Sequence, residues 1–219
     1  MASESSWPPA QGLTTKLVPR DKATLVLSYS TVVRAPAPLV FDTILHAADY
    51  PAWNTWVPSV RIVAQPPSSS GDEEANDLSR MRIGTAMEFA VVMDANKPTS
   101  INRTQLKVVD VSTPDAPTSY LSPELLADAT FTADASKVYR VSWVGNGGMY
   151  GFAPKLERFH EVIVLSENEC EVRTWEIMAG MTARLVKMLM EETLKEKVAL
   201  WCQDLKKYCE KKSAEGPAA

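Results

Sequence analysis

The end of this chain constrains it most. Val186, Met190, Leu194, Val198, Trp201, Leu205 and Tyr208 recur by fours and threes, the spacing of one helix face. Leu185, Met188 and Leu189 widen that stripe near its N-terminal end, and charges fill the other side, with Glu191 and Lys195 placed to pair. One helix is therefore expected from Met178 to about Lys211. A helix with so wide an apolar face must bury it, and the segments before it are strands, so it has to lie across a sheet.

The strands follow from alternation. "ATLVLSYSTVV" puts Leu25, Leu27, Tyr29, Thr31 and Val33 on one face, and the prolines of "APAP" stop it. From Pro38 the apolar spacing turns helical through Val40, Phe41, Ile44, Leu45 and Ala48, up to Pro51. "VRIVA", "TAMEFAVVM", "TQLKVVDV" and "SKVYRVSWVG" read as strands, with a helical turn at "SPELLAD" capped by Ser122. "LERFHEVIVL" and "CEVRTWEIM", joined at "SENE", read as a hairpin. Short connections make the sheet antiparallel. The expected fold class is α+β: a curved antiparallel sheet wrapped around a long C-terminal helix, with two short helices after strand one. A sheet curled onto a single helix does not fill its own middle, so an apolar hollow is expected between them.

Residues 1–21, polar and rich in Ser and Pro, are expected to be a disordered arm, residues 22–211 one domain, and residues 212–219 a flexible tail. "QPPSSSGDEEANDLSR" reads as a mobile loop. "GNGGMYG" is a glycine-rich loop without the Lys-Ser/Thr pair or prompt helix of a phosphate cradle.

A net charge of −4 and the lack of a basic stripe argue against nucleic acid as a partner. No apolar run reaches membrane-spanning length, so no integral membrane segment is expected. The N-terminus has no signal-peptide pattern, which points to a cytoplasmic protein. Cys202 and Cys209 lie two helical turns apart, roughly 10 Å, too far for a disulfide. With no C-x-x-C and two separated histidines, neither a metal site nor a cofactor is expected. The sequence sets no oligomeric state.

"YPAWNTWVPSV", residues 50–60, places Trp53, Asn54 and Trp56 either as a core plug or at the rim of a pocket. Counting eight residues each way from a hairpin tip near Asn168 brings His160 opposite Glu176, with Cβ atoms about 5 Å apart. There a carboxylate could orient an imidazole for acid–base work; the plain alternative is a solvated cross-strand pair. Tyr139 and Trp143 alternate with Arg140, which would either anchor an anionic ligand end or stay solvated. Phe89, Met181, Leu185 and Leu189 complete the expected lining, on the faces that look into the hollow.

"YPAWNTWVPSV" after strand one, "YRVSWVG" in mid-chain, and "RFHEVIVL" followed by "RTWEIMAG" before the terminal helix resemble the START-like or SRPBCC superfamily, most of all its polyketide cyclase/dehydrase branch. The resemblance covers about Ala23 to Lys211. It implies a helix-grip (Bet v 1-like) fold with an apolar cavity, and a core role for Tyr50, Trp53 and Trp56. A Glu preceding "x-x-x-G" before the helix is part of the pattern, and Glu176 matches it. This fold hosts many functions. The resemblance therefore implies a hydrophobic small-molecule partner (a polyketide, lipid or isoprenoid), or a cyclase/dehydrase-like enzyme using Glu176, His160 or Arg140, or a protein-interaction module akin to co-chaperones.

Overall fold

Two opposite faces of one sheet are covered by different parts of the chain. The computed structural model describes residues 7–67, 77–145 and 154–215. Seven strands, β1 (Leu25–Val33), β2 (Ser59–Ala64), β3 (Ala86–Val92), β4 (Ile101–Ser112), β5 (Val138–Gly145), β6 (Lys155–Ser166) and β7 (Glu169–Ala179), form a sheet in the order β1-β7-β6-β5-β4-β3-β2. Every neighbouring pair is antiparallel. β1 lies at one edge and β2 at the other, so the link between them, α1 (Ala37–Leu45) and α2 (Tyr50–Trp53), must cross the sheet. α1 does so against β5, β6 and the long helix α4 (Met181–Glu215).

Local chemistry explains the ends of these elements. Pro38 and Pro51 both sit in the first turn of a helix, where the missing N–H has no intrahelical partner to lose. Pro51 therefore begins α2 rather than ending α1. α3 (Pro123–Leu126) is the short turn expected from "SPELLAD", its Leu125 amide donating to Ser122 Oγ at 3.3 Å. Gly180 takes φ +102° between β7 and α4, a conformation that L side chains resist. It fixes the helix start three residues later than the apolar spacing suggested, and α4 runs on to Glu215.

Leu194, Val198, Trp201, Leu205 and Cys209 of α4 bury against the sheet, with most of the packing on β1 and β7. Tyr50, Trp53 and Trp56 are buried in the same layer, at 0, 5 and 3 % exposure.

The opposite face is covered too, and this corrects the expected disordered arm. Within residues 7–21, Leu13 and Val18 are buried with Phe131, Phe159, Trp175 and Ile177, and Trp7 sits 5.6 Å from Trp175, ring to ring. Polar residues of the sheet hold the covering segments. Glu157 accepts from the Leu17 amide at 2.8 Å and from the Tyr120 hydroxyl at 2.7 Å, and Glu161 accepts from the Thr132 amide at 3.1 Å. Buried backbone donors need such partners; a Pro- and Ser-rich segment can supply few from its own secondary structure. Residues 1–6 and 216–219, most of the expected mobile loop (68–76), and 146–153, which take in all of the glycine-rich loop but Gly145, lie outside the described residues.

Candidate functional site

A cavity of about 190 Å³ opens between the sheet and the first half of α4. Phe89, Val91 and Leu106 line its β3–β4 side, Leu156 and Met178 its β6–β7 side, and Val186, Met190 and Leu194 the helix side, with Trp56 and Val57 at its inner end. The hollow is confined to this part of the grip. Farther along, Trp143, His160 and Trp201 pack ring on ring and fill the space: His160 stacks on Trp201 at 4.3 Å and lies 4.6 Å from Trp143.

Two charged residues enter this apolar lining. Arg158 on β6 stands directly across from Glu176 on β7, its Nε donating to Glu176 Oε2 at 2.5 Å and its Nη2 in ion-pair contact with the same oxygen. The pair is almost dry, with side chains 10 and 1 % exposed. The guanidinium also lies over the Trp56 ring, 5.2 Å from its centre, so indole, guanidinium and carboxylate follow one another along the wall. Two polar atoms in these residues remain unpartnered among the described residues: Glu176 Oε1 and the Trp56 indole Nε1. An unmet buried acceptor and an unmet buried donor are costly in an apolar surround.

This register corrects the expected His160–Glu176 pair. The turn centres on Glu167 and Asn168, and an irregularity between Val164 and Ser166 shifts the ladder, so His160 faces Thr174 instead. Its Nδ1 shares a 2.9 Å hydrogen bond with Thr174 Oγ1, which also receives Cys202 Sγ at 3.5 Å. Burial holds the imidazole well below its ordinary pKa, with nearby Arg158 adding to the effect. His160 is a neutral core residue behind the cavity, not part of its wall.

The other expected lining residues divide. Phe89 and Glu176 do line the cavity. Trp143 is core, in edge contact with Phe89 at 5.7 Å. Asn54 is buried, its Oδ1 accepting from the Val57 amide at 2.7 Å to close the turn after α2. Trp53 backs a separate surface cleft with Tyr208 and Lys211 of α4. Tyr139 packs on Phe41 at 5.4 Å on the α1 side. Arg140 points to the opposite face of the sheet, donating to Glu161 at 2.6 Å and to the Thr132 carbonyl at 2.9 Å, so it is neither solvated nor a cavity anchor. Met181, Leu185 and Leu189 lie on the outer flank of α4 at 86, 52 and 66 % exposure; one helix cannot press two apolar flanks onto one sheet. Arg158 and Trp56 were missed as site residues. A two-residue turn at Glu167–Asn168 together with one bulge places Arg158 against Glu176.

Among the described residues, no group of three or more His, Cys, Asp or Glu side chains is placed to hold a metal ion, and no helix is long and apolar enough to cross a membrane.

The order of elements, the edge-to-edge crossing by two short helices and the terminal helix on the sheet match known structures. A START superfamily protein from Mycobacterium smegmatis aligns with TM-score 0.53 at 12 % identity over 85 % of this chain and 97 % of its own. The chain has the START-like helix-grip fold. A hypothetical protein from Helicobacter pylori shares this fold with TM-score 0.61, at 13 % identity over 89 % of this chain and 92 % of its own. So does the Zhui aromatase/cyclase from Streptomyces, with TM-score 0.53 at 11 % identity over 88 and 98 %. In sequence, the helix-grip chain is 26 % identical over 207 residues to oxopyrrolidines biosynthesis cluster protein O from Penicillium oxalicum, covering 92 % of this chain and 94 % of that one. No protein-family model matches the chain.

Proposed function

We propose that this protein binds a hydrophobic small molecule in the cavity between the sheet and the first half of α4. The observation that carries this reading is the cavity wall itself: mostly apolar side chains from β3, β4, β6, β7 and α4, with the buried Arg158–Glu176 pair and the polar Asn102 and Thr104 of β4 among them. Apolar walls supply binding free energy of about 25 cal/mol per Å² of ligand surface removed from water, and a few fixed polar groups orient the ligand. The volume, about 190 Å³, is below the ~300–1,000 Å³ usual for drug-sized ligands, which favours a compact ligand or one end of a longer one over a two-chain lipid.

The test is titration with a neutral apolar fluorophore, N-phenyl-1-naphthylamine, of the native chain and of Met190→Trp, which places an indole in the hollow. Saturable binding that weakens at least tenfold in Met190→Trp, and not in Leu185→Ser on the outer flank, is expected. Equal binding by native chain and Met190→Trp contradicts the reading.

A second reading is an enzyme of secondary metabolism of the polyketide cyclase/dehydrase kind. It draws on the biosynthesis-cluster relative and the aromatase/cyclase of like fold, and on one buried carboxylate, Glu176, in the cavity wall. There Glu176 would move protons on a ligand folded by the apolar walls. Glu176→Gln abolishing turnover with binding retained would support it; unchanged turnover would remove it.

A further inference from the structure

From the donors that Arg158 leaves unspent we infer that this residue orients the ligand, its Nη1 donating to a neutral carbonyl oxygen. The inference rests on reading the cavity as a ligand site and names the group that the site recognises. A guanidinium carries five N–H donors. Arg158, its side chain 10 % exposed, commits Nε to a hydrogen bond with Glu176 Oε2 and brings Nη2 into ion-pair contact with the same oxygen. Nη1 makes no hydrogen bond among the described residues, yet it is not one of the unpaired atoms closed off from water. Glu176 Oε1 and the Trp56 indole nitrogen are closed off in that way, so nothing in the hollow reaches them. Arg158 lines the cavity, and Nη1 is therefore a donor that an occupant can meet. The other buried pair of the sheet is built differently. Arg140 makes three hydrogen bonds, two to Glu161 and one to the Thr132 carbonyl, and Glu161 also accepts from the Thr132 amide and hydroxyl.

The Arg158 guanidinium is held in place. Nε is tied to Glu176, and the guanidinium carbon lies 5.2 Å from the centre of the Trp56 ring, so its free edge keeps one direction. A fixed, charged donor in a dry wall recognises an acceptor; an ammonium would meet a second cation there. The acceptor must also be neutral. Arg158 and Glu176 offset each other's charge, and the lining holds no other cation among the described residues, so a carboxylate would bury a net negative charge. The carbonyl of a ketone, ester or amide meets both conditions.

Displacement of N-phenyl-1-naphthylamine by three probes tests this: 2-octanone, octanoate and 2-methyl-1-octene, in which a methylene group replaces the carbonyl oxygen. The alkene is the most hydrophobic of the three, so a merely greasy pocket favours it. In Arg158→Met with Glu176→Leu, both charges leave together and the wall becomes apolar. The ketone-to-alkene affinity ratio is expected to be about tenfold to a hundredfold higher on the native chain than in this variant. On the native chain, 2-octanone is expected to bind more tightly than octanoate. A ratio that differs by less than tenfold overturns the inference and leaves the apolar cavity standing. Octanoate binding as tightly as the ketone overturns the neutral carbonyl. If neither the fluorophore nor any probe binds the native chain, the ligand-site reading falls as well. Where the variant fails to fold, the native chain still decides, by carbon-13 NMR of 2-octanone labelled at the carbonyl carbon. A hydrogen bond from the guanidinium moves the bound resonance downfield of its position in cyclohexane, and a bound resonance at the cyclohexane position overturns the inference.

Discussion

His160 shows how burial can turn a candidate acid–base residue into a structural one. Its ring is sandwiched near Trp143 and Trp201, and the imidazole stays neutral because a charge there would be stripped of water. The sign for stability follows: its folded pKa is depressed below 6.5, so below that pH the unfolded chain binds a proton that the folded chain refuses. This contribution is present above the unfolded pKa and is lost as pH falls through it, at no more than about 1.4 kcal/mol per pH unit for one proton. Urea denaturation of the native chain and of His160→Gln should therefore show a stability gap that shrinks between pH 7 and pH 5. A gap independent of pH over that interval would contradict a neutral buried imidazole. The cysteines tell the same story. Burial pushes the thiols of Cys170 and Cys202 up to about 12 and that of Cys209 up to about 11, so none is a ready nucleophile.

Among the elements, the N-terminal segment and the start of α4 invert what their sequences suggest. The segment before β1 looks like a solvated arm, yet it buries Leu13 and Val18 and stacks Trp7 on the sheet. The first turns of α4 look like core, yet they leave Met181, Leu185, Met188 and Leu189 exposed. Removing residues 1–22 should cost several kcal/mol, on the order of ~2–3 kcal/mol for each large side chain stripped of its cover. Leu185→Ser with Met188→Ser should change stability by less than about 0.5 kcal/mol. Chemical denaturation midpoints check both, and the reverse ranking would contradict this packing. Strand alternation and helical spacing made the seven-strand-plus-helix plan legible, because each depends on local periodicity. Three things did not show at that level. The turn at Glu167–Asn168 and the irregularity between Val164 and Ser166 each shifted the register by one residue, which moved His160 away from Glu176 and brought Arg158 in. The covered outer face buries both sides of β5, so alternation could not assign Arg140 its side. A few apolar residues in a polar segment, here Leu13 and Val18, carry no period to read.

At the scale of the whole molecule, both faces of the sheet carry covering segments, and the apolar hollow beside Arg158 and Glu176 lies where the long helix first meets the sheet. One layer is stitched by aromatic stacking from Tyr50 to Trp201, the other by Phe131, Phe159 and Trp175. Together they frame the cavity beside Arg158 and Glu176. The central claim is that this hollow holds a hydrophobic small molecule, and native mass spectrometry of the protein purified from its own cells tests it most directly. The account predicts a bound apolar compound, present on the native chain and missing from Met190→Trp. A compound retained equally by Met190→Trp would contradict it.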